Sequence, residues 1–135
     1  MRLMCSHAAQ ETVGRFDGYI FVVAEYNHSI TGVLKNALDQ AYKECVRKPF
    51  AAIGYGGTGA VRAVEHLRSI AVELQMVSTR ASVHIGGGDF MAVHPMFGKK
   101  PIEEIEATLL PSTKTSFDEL VWWAKATIAA KALEA

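Results

Sequence analysis

The feature that most constrains this chain is a pair of short, unbroken apolar runs, Tyr19 to Val23 and Phe50 to Tyr55, each followed by a loop and then an amphipathic helical pattern. A run of five or six residues rich in aromatic and β-branched side chains, with no polar residue alternating through it, suits a strand covered on both faces of a parallel sheet. Parallel strands need long crossovers, and here the intervening segments have helical periodicity. From Gly32 to Tyr42 the apolar stripe is Val33, Leu34, Ala37, Leu38, Ala41 and Tyr42, with Lys35, Asn36, Asp39 and Gln40 opposite. From Val61 to about Gln75 it is Val61, Val64, Leu67, Ile70/Ala71 and Leu74. Strand and helix in alternation predict an α/β fold.

Four further segments extend the pattern. Residues Ala8 to Phe16 read as the end of an amphipathic helix carrying Ala9, Val13 and Phe16, broken by Asp17-Gly18. Val77 to Ile85 alternates, with Val77, Thr79, Ala81, Val83 and Ile85 on one face and Ser78, Arg80, Ser82 and His84 on the other, which predicts a third strand that is half exposed or near an edge. Gly86 to Pro111, with three consecutive glycines and three prolines, reads as a surface excursion holding a short helix around Ile102 to Thr108. Ser116-Phe-Asp-Glu119 has capping-box spacing and predicts the start of a last helix with the stripe Phe117, Leu120, Val121, Ala124 and Ile128. Trp122 and Trp123 flank that stripe; residues adjacent on a helix point about 100° apart, so the two indoles do not share the centre of one buried face.

Composition narrows the class. With 135 residues, 50% of them apolar, the chain is expected to form one domain over 1–135 with a core that needs no staples. The 14 Lys+Arg balance 14 Asp+Glu, so neither nucleic acid nor an anionic membrane surface is an expected partner. No apolar run approaches the length of a spanning helix, Met1 to Gln10 lacks a signal-peptide core, and a cytoplasmic location is expected. Cys5 and Cys45 have no paired spacing and are expected to be unpaired thiols.

Open α/β sheets bind ligands at the carboxyl ends of their strands, which singles out two loops. Gly54-Tyr-Gly56-Gly57-Thr-Gly59 formally matches GxGxxG, but the acidic residue a dinucleotide fingerprint needs at the end of the next strand is replaced by His84 and Ile85. What remains is a bare backbone that a flat ligand can approach, with N–H groups able to donate to its polar edge; a tight turn needing positive φ explains the same glycines. The other loop, Ala24 to Gly32, collects Glu25, Tyr26, Asn27 and His28, and on composition alone is also a polar turn with Thr31 capping the helix. No histidine pair has metal-binding spacing, no metal site is expected, and His84, Asp89 and His94 read as solvated loop residues. Arg62, Glu65, His66 and Arg68 read as the solvated face of their helix.

The stretch AEYNHSITGVLKNALDQAY, followed after a short gap by KPFAAIGYGGTGAVRAVEHLRSIAVELQMV, resembles the NADPH-dependent FMN reductase family of flavodoxin-like proteins, from about Asp17 to at least Gly88. The closing DELVWWAKA is similar to the last helix of some members. The resemblance implies a flavodoxin-like three-layer fold around a parallel sheet of about three strands. It implies an FMN held between the two loops, with Glu25, Tyr26 and Asn27 beside the ring system and Gly56, Gly57, Thr58 and Gly59 along its pyrimidine edge. It further implies NAD(P)H as co-substrate and an oxidoreductase that passes hydride or electrons through FMN to a flavin, quinone or similar small-molecule acceptor. No side chain is expected to act as acid or nucleophile, because the flavin carries the chemistry.

Two departures from the family are legible. Thr31 stands where relatives commonly have proline, a change a capping residue tolerates. The family's first strand and its GSxRxxS-type phosphate loop have no counterpart before Phe16, so the chain is expected to be N-terminally truncated relative to the family. That leaves Tyr19 to Val23 as an apolar sheet edge and predicts a homo-oligomer in which another chain covers it. The alternative expectation is a flavin-free remnant of the fold acting as a structural or interaction subunit.

Overall fold

A computed structural model describes Ala8 and residues 10–134. Cys5 and Ala9, named above, lie outside the described residues. Helical backbone over residues 10–14 precedes β1 (Tyr19–Ala24), α1 (Gly32–Leu38), β2 (Pro49–Tyr55), α2 (Val61–Glu73), β3 (Val77–Ser78), β4 (Val83–Ile85), α3 (Gly87–Val93) and α4 (Glu106–Ala132). All strand pairs are parallel. β1 lies beside β2 in the register Tyr19↔Phe50 to Ala24↔Tyr55, and the far side of β2 carries β3 at Pro49↔Val77 and then β4 at Ile53↔Val83 to Tyr55↔Ile85. β2 is therefore the central strand, and its apolar run is buried nearly throughout.

The two faces of β2 serve different layers, as the two-residue period of a strand requires. Phe50 and Ala52 face the larger core with Val23, Leu38, Ala63, Val64, Leu67 and Ala71, while Ile53 and Tyr55 pack with Val83, Ile85, Ile105, Ala92 and Leu109. Fully buried side chains such as Phe50 and Leu67 contribute about 1.5–3 kcal/mol each relative to exposure, so the α1/α2 side dominates the cohesion. On the other side α4 packs against β2 and β4.

Several expectations are corrected. Among the described residues β1 is covered on one face only: Ile20 and Val22 are 46% and 71% exposed, because α4 lies over β2 and β4 and stops short of them. The opening helix ends by Gly14, where Lys48 Nζ donates to the Gly14 carbonyl at 3.0 Å, and Phe16 is exposed rather than part of its buried stripe. α1 ends at Leu38; Gln40 and Ala41 turn back onto the carbonyls of Ala37 and Leu38, and a 3-10 turn, Lys43–Cys45, follows. Cys45 is buried and free.

The third strand is broken in two. The Thr79 amide still donates to Phe50 O of β2 at 2.9 Å, but from the Thr79 carbonyl to Ala81 side chains take over: Arg68 donates to the carbonyls of Thr79 and Arg80, Thr79 Oγ1 donates to Ala81 O, and Glu119 accepts from the amides of Arg80 and Ala81. Arg68 thus belongs to the packing and not to a solvated face. The segment after Gly86 forms α3 before turning over the surface, and a 3-10 turn, Ile102–Ile105, leads directly into α4. That helix runs through Pro111, whose missing N–H costs one bond in its second turn. Ser116 is consequently mid-helix and fully buried, not a cap. Trp122 is exposed and Trp123 half-buried, their rings 4.9 Å apart and nearly perpendicular.

Candidate functional site

β1 and β2 run side by side in the same direction, so the loops that follow them open at the same sheet edge. The first is a two-residue hairpin turn. Tyr26 N–H donates to Ser29 O at 2.9 Å and Ser29 N–H to Tyr26 O at 3.0 Å, with Asn27 and His28 at φ of 50° and 66°. Two successive positive φ values define a type I′ geometry, which asparagine tolerates and histidine adopts at a cost of about 1–2 kcal/mol. Tyr26 is 66% exposed, its ring standing off the turn. Thr31 caps α1, accepting the Leu34 amide at 3.2 Å, as its position suggested.

Glu25 points away from solvent. Its carboxylate accepts the Arg62 amide at 3.2 Å and Arg62 Nε at 2.5 Å, which places it on the first turn of α2. Burial works to raise this carboxyl, but the hydrogen bonds and charge of Arg62, with the Ala63 and Arg62 amides, outweigh it and hold the group below its ordinary value. Arg62 also lies 2.9 Å from His28 Nε2, and one turn along, His66 Nδ1 lies 2.6 Å from Ser29 Oγ. Arg62 and His66 therefore dock the first loop and do not simply face water, a role invisible in sequence because its partners lie 34 to 37 residues away.

In the glycine loop the residues divide by role. A Cβ on Gly54 would stand 2.1 Å from Gly59 O; one on Gly86 would stand 2.6 Å from Gly59 N. Gly59, at φ 69°, is buried against His84, whose Nδ1–H donates to Gly59 O at 2.7 Å. These glycines are required by backbone packing. Gly57 is not: a Cβ there would meet nothing within 4 Å, and its φ is not in the left-handed region. Gly57 and Thr58 are exposed, and among the described residues their main-chain N–H groups have no acceptor. Gly56 N–H is taken by Ile85 O. A third segment joins them, since Gly87 N–H donates to Gly57 O at 3.0 Å; the glycines after β4, set aside in the sequence, lie beside this loop.

Of the seven expected site residues, Tyr26, Asn27, Gly57 and Thr58 are exposed at this edge, Gly56 and Glu25 are partly covered, and Gly59 is buried. An exposed ring at the same sheet edge as a backbone with open space and two unmatched donors suits a flat heteroaromatic ligand with carbonyl acceptors on its edge. Elsewhere, His94 Nδ1 accepts the Met96 amide among the rings of Tyr55, Phe90 and Phe97, and no group of side chains able to hold a metal ion occurs among the described residues.

The sequence profile of the NADPH-dependent FMN reductases matches residues 7–89. Among curated relatives, an NAD(P)H-dependent FMN reductase of Nectria sp is 47% identical over 64 residues, 47% of this chain and 31% of that protein. A quinone reductase of Escherichia coli (strain K12) is 30% identical over 120 residues, 84% of this chain and 63% of that protein. The chain thus spans about a third to two thirds of the relatives it matches. Among solved structures, the flavoenzyme NAD(P)H:(acceptor) oxidoreductase of Paracoccus denitrificans superposes with a TM-score of 0.67 at 21% identity, covering 92% of this chain and 69% of that one, a likeness of fold.

Proposed function

Because the chain belongs to the NADPH-dependent FMN reductase family, we propose that it binds FMN between its first two carboxyl-edge loops and passes electrons from NAD(P)H to a small-molecule acceptor such as a flavin or a quinone. The observation that carries this reading is Gly57, an exposed glycine with no packing or backbone reason to be one, next to two unmatched N–H donors. The fold is the α/β, flavodoxin-like one that the family implies, and quinone reductases stand among the relatives.

FMN, when bound, supplies a ring that accepts hydride from the nicotinamide and delivers the electrons onward. This chain's part is to hold and orient it. Tyr26 and Asn27 flank the ring system, and the amides of Gly57 and Thr58 donate to its pyrimidine edge. Gly56 and Gly59 shape the loop, Gly59 by lying flat under His84. Glu25 keeps the first loop in place. We place the activity in the cytoplasm, where NAD(P)H is supplied, and the working unit as a homo-oligomer whose second copy covers β1.

The test is reconstitution with FMN, followed by visible absorption and fluorescence quenching. Wild-type protein should turn yellow. Gly57→Val should keep the wild-type circular dichroism and thermal midpoint yet lose at least tenfold in affinity, about 1.4 kcal/mol. Gly59→Val, at positive φ and 3.0 Å from His84 Cβ, should fail to fold and serves as the contrast. A colourless wild type that does not take up FMN, or a Gly57→Val variant that binds as well as wild type, overturns the reading and favours the flavin-free subunit.

A further inference from the structure

The first loop is held at two points on one helix. Arg62 and His66 stand one turn apart on α2; the first meets Glu25 and His28, the second meets Ser29, and between these anchors sits the Tyr26–Ser29 turn. The Glu25 side chain is only 8% exposed although its partner Arg62 is 47% exposed, so the carboxylate is tucked under the loop against the helix start. A turn with two left-handed residues, one of them histidine, holds that shape only where its surroundings impose it.

We propose that Glu25 is a positioning residue, which sets the spacing between Tyr26 and Asn27 on one loop and Gly57 and Thr58 on the other by locking the first loop to the first turn of α2, and that its carboxylate does not itself touch the flavin. The idea rests on the flavin reading for its purpose, but the lock is a property of the unliganded protein. α2 begins directly after the glycine loop, so a group fixed to Arg62 is fixed relative to Gly57 and Thr58. Main-chain and guanidinium donors to one carboxylate are charge-assisted and geometrically demanding, which suits them to a fixed spacing. The Ser29–His66 contact prevents rotation about the first anchor.

The experiment compares wild type with Glu25→Ala, Glu25→Gln, Arg62→Ala and the Glu25→Ala/Arg62→Ala double variant, by amide hydrogen exchange without flavin and by FMN titration. In Glu25→Ala the amides of Arg62, Tyr26 and Ser29 should exchange at least tenfold faster, with those of Leu67 and Ala52 unchanged. The double variant should be no faster than Glu25→Ala alone, and Arg62→Ala, which keeps the main-chain donor to Glu25, should fall between wild type and Glu25→Ala. Glu25→Gln, which keeps an acceptor for the Arg62 amide, should recover part of both protection and FMN affinity. Unchanged exchange at Tyr26 and Ser29 in Glu25→Ala overturns the proposal, and so does lost FMN affinity with the turn still protected, since Glu25 would then act on the ligand directly. A wild type that binds no FMN overturns the flavin reading, and the exchange data still decide the lock.

Discussion

Ser116 Oγ donates a 3.1 Å hydrogen bond to the carbonyl oxygen of Ala81, joining the middle of the 27-residue α4 to the break between β3 and β4. One turn along, Glu119 accepts the Arg80 amide at 2.9 and 3.0 Å. The helix therefore supplies partners for the Arg80 and Ala81 amides and the Ala81 carbonyl at the break. Ser116→Ala should lower the unfolding free energy by about 1 kcal/mol, the worth of one buried neutral hydrogen bond. Glu119→Ala should cost more, about 1–3 kcal/mol, because it strips a charged acceptor from two amides. Equilibrium urea unfolding measures both; a Glu119→Ala midpoint equal to wild type would show that α4 does not hold the break.

These residues also show where sequence reading reaches its limit. Tyr19 to Val23 and Phe50 to Tyr55 were legible as parallel strands because apolar content over five or six residues is a local signal, and the two loops followed from where those strands end. The split at Thr79 was not legible, since its partners, Arg68 and Glu119, lie 11 residues before and 39 after the groups they bind. Ser116 and Glu119 have the residue types and spacing of a capping box, yet both reach across to the sheet, and only the tertiary fold chooses between the two uses. The same holds at the site. Gly54, Gly57 and Gly59 look alike in sequence, and the close approach of Gly59 O to Gly54 is what separates the packing glycines from the open one.

Tyr19 makes a second test, one of pH. Its hydroxyl lies 2.9 Å from the carbonyl oxygens of Val13 and Glu44, both acceptors, so a phenolate there would have no donor. Burial, and then the charges of Cys45, Glu44 and Asp17, raise the phenol well above its ordinary value. The unfolded chain releases this proton near pH 10 and the folded one does not, so stability is full below about pH 10 and falls as the pH rises beyond it. Lys48 runs the other way: burial, then Lys131, lower its ammonium, and stability gains as the pH approaches 10.4. The Tyr19 shift is the larger, so the net slope above pH 10 should be negative. Tyr19→Phe should flatten it while costing about 1 kcal/mol at pH 7. Tyrosinate absorbance should show an ionisation that coincides with unfolding and that Tyr19→Phe lacks; a Tyr19→Phe variant with the same alkaline absorbance profile as wild type would contradict the burial argument.

The last prediction concerns β1. Its Val23 is fully buried and its Phe21 packs onto Phe50 with ring centroids 5.4 Å apart, while Ile20 and Val22 on the opposite face are exposed. Among the described residues, the outer side of β1 has no paired strand. The strand carries no charge and no proline, the devices that keep sheet edges from pairing. With a formal net charge of zero, nothing long-ranged opposes the approach of a second copy. We therefore expect wild-type protein to sediment as a dimer or larger at micromolar concentration, with β1 of each copy covered by the other. Val22→Lys is the sharp probe: at 71% exposure the side chain contributes little to the single chain, so the fold should survive, whereas an ammonium on the covered face should drive the assembly to monomer. Sedimentation velocity beside circular dichroism reads both effects. A wild type that is monomeric at these concentrations would overturn the assembly, and a Val22→Lys variant that assembles as wild type does would place the interface elsewhere.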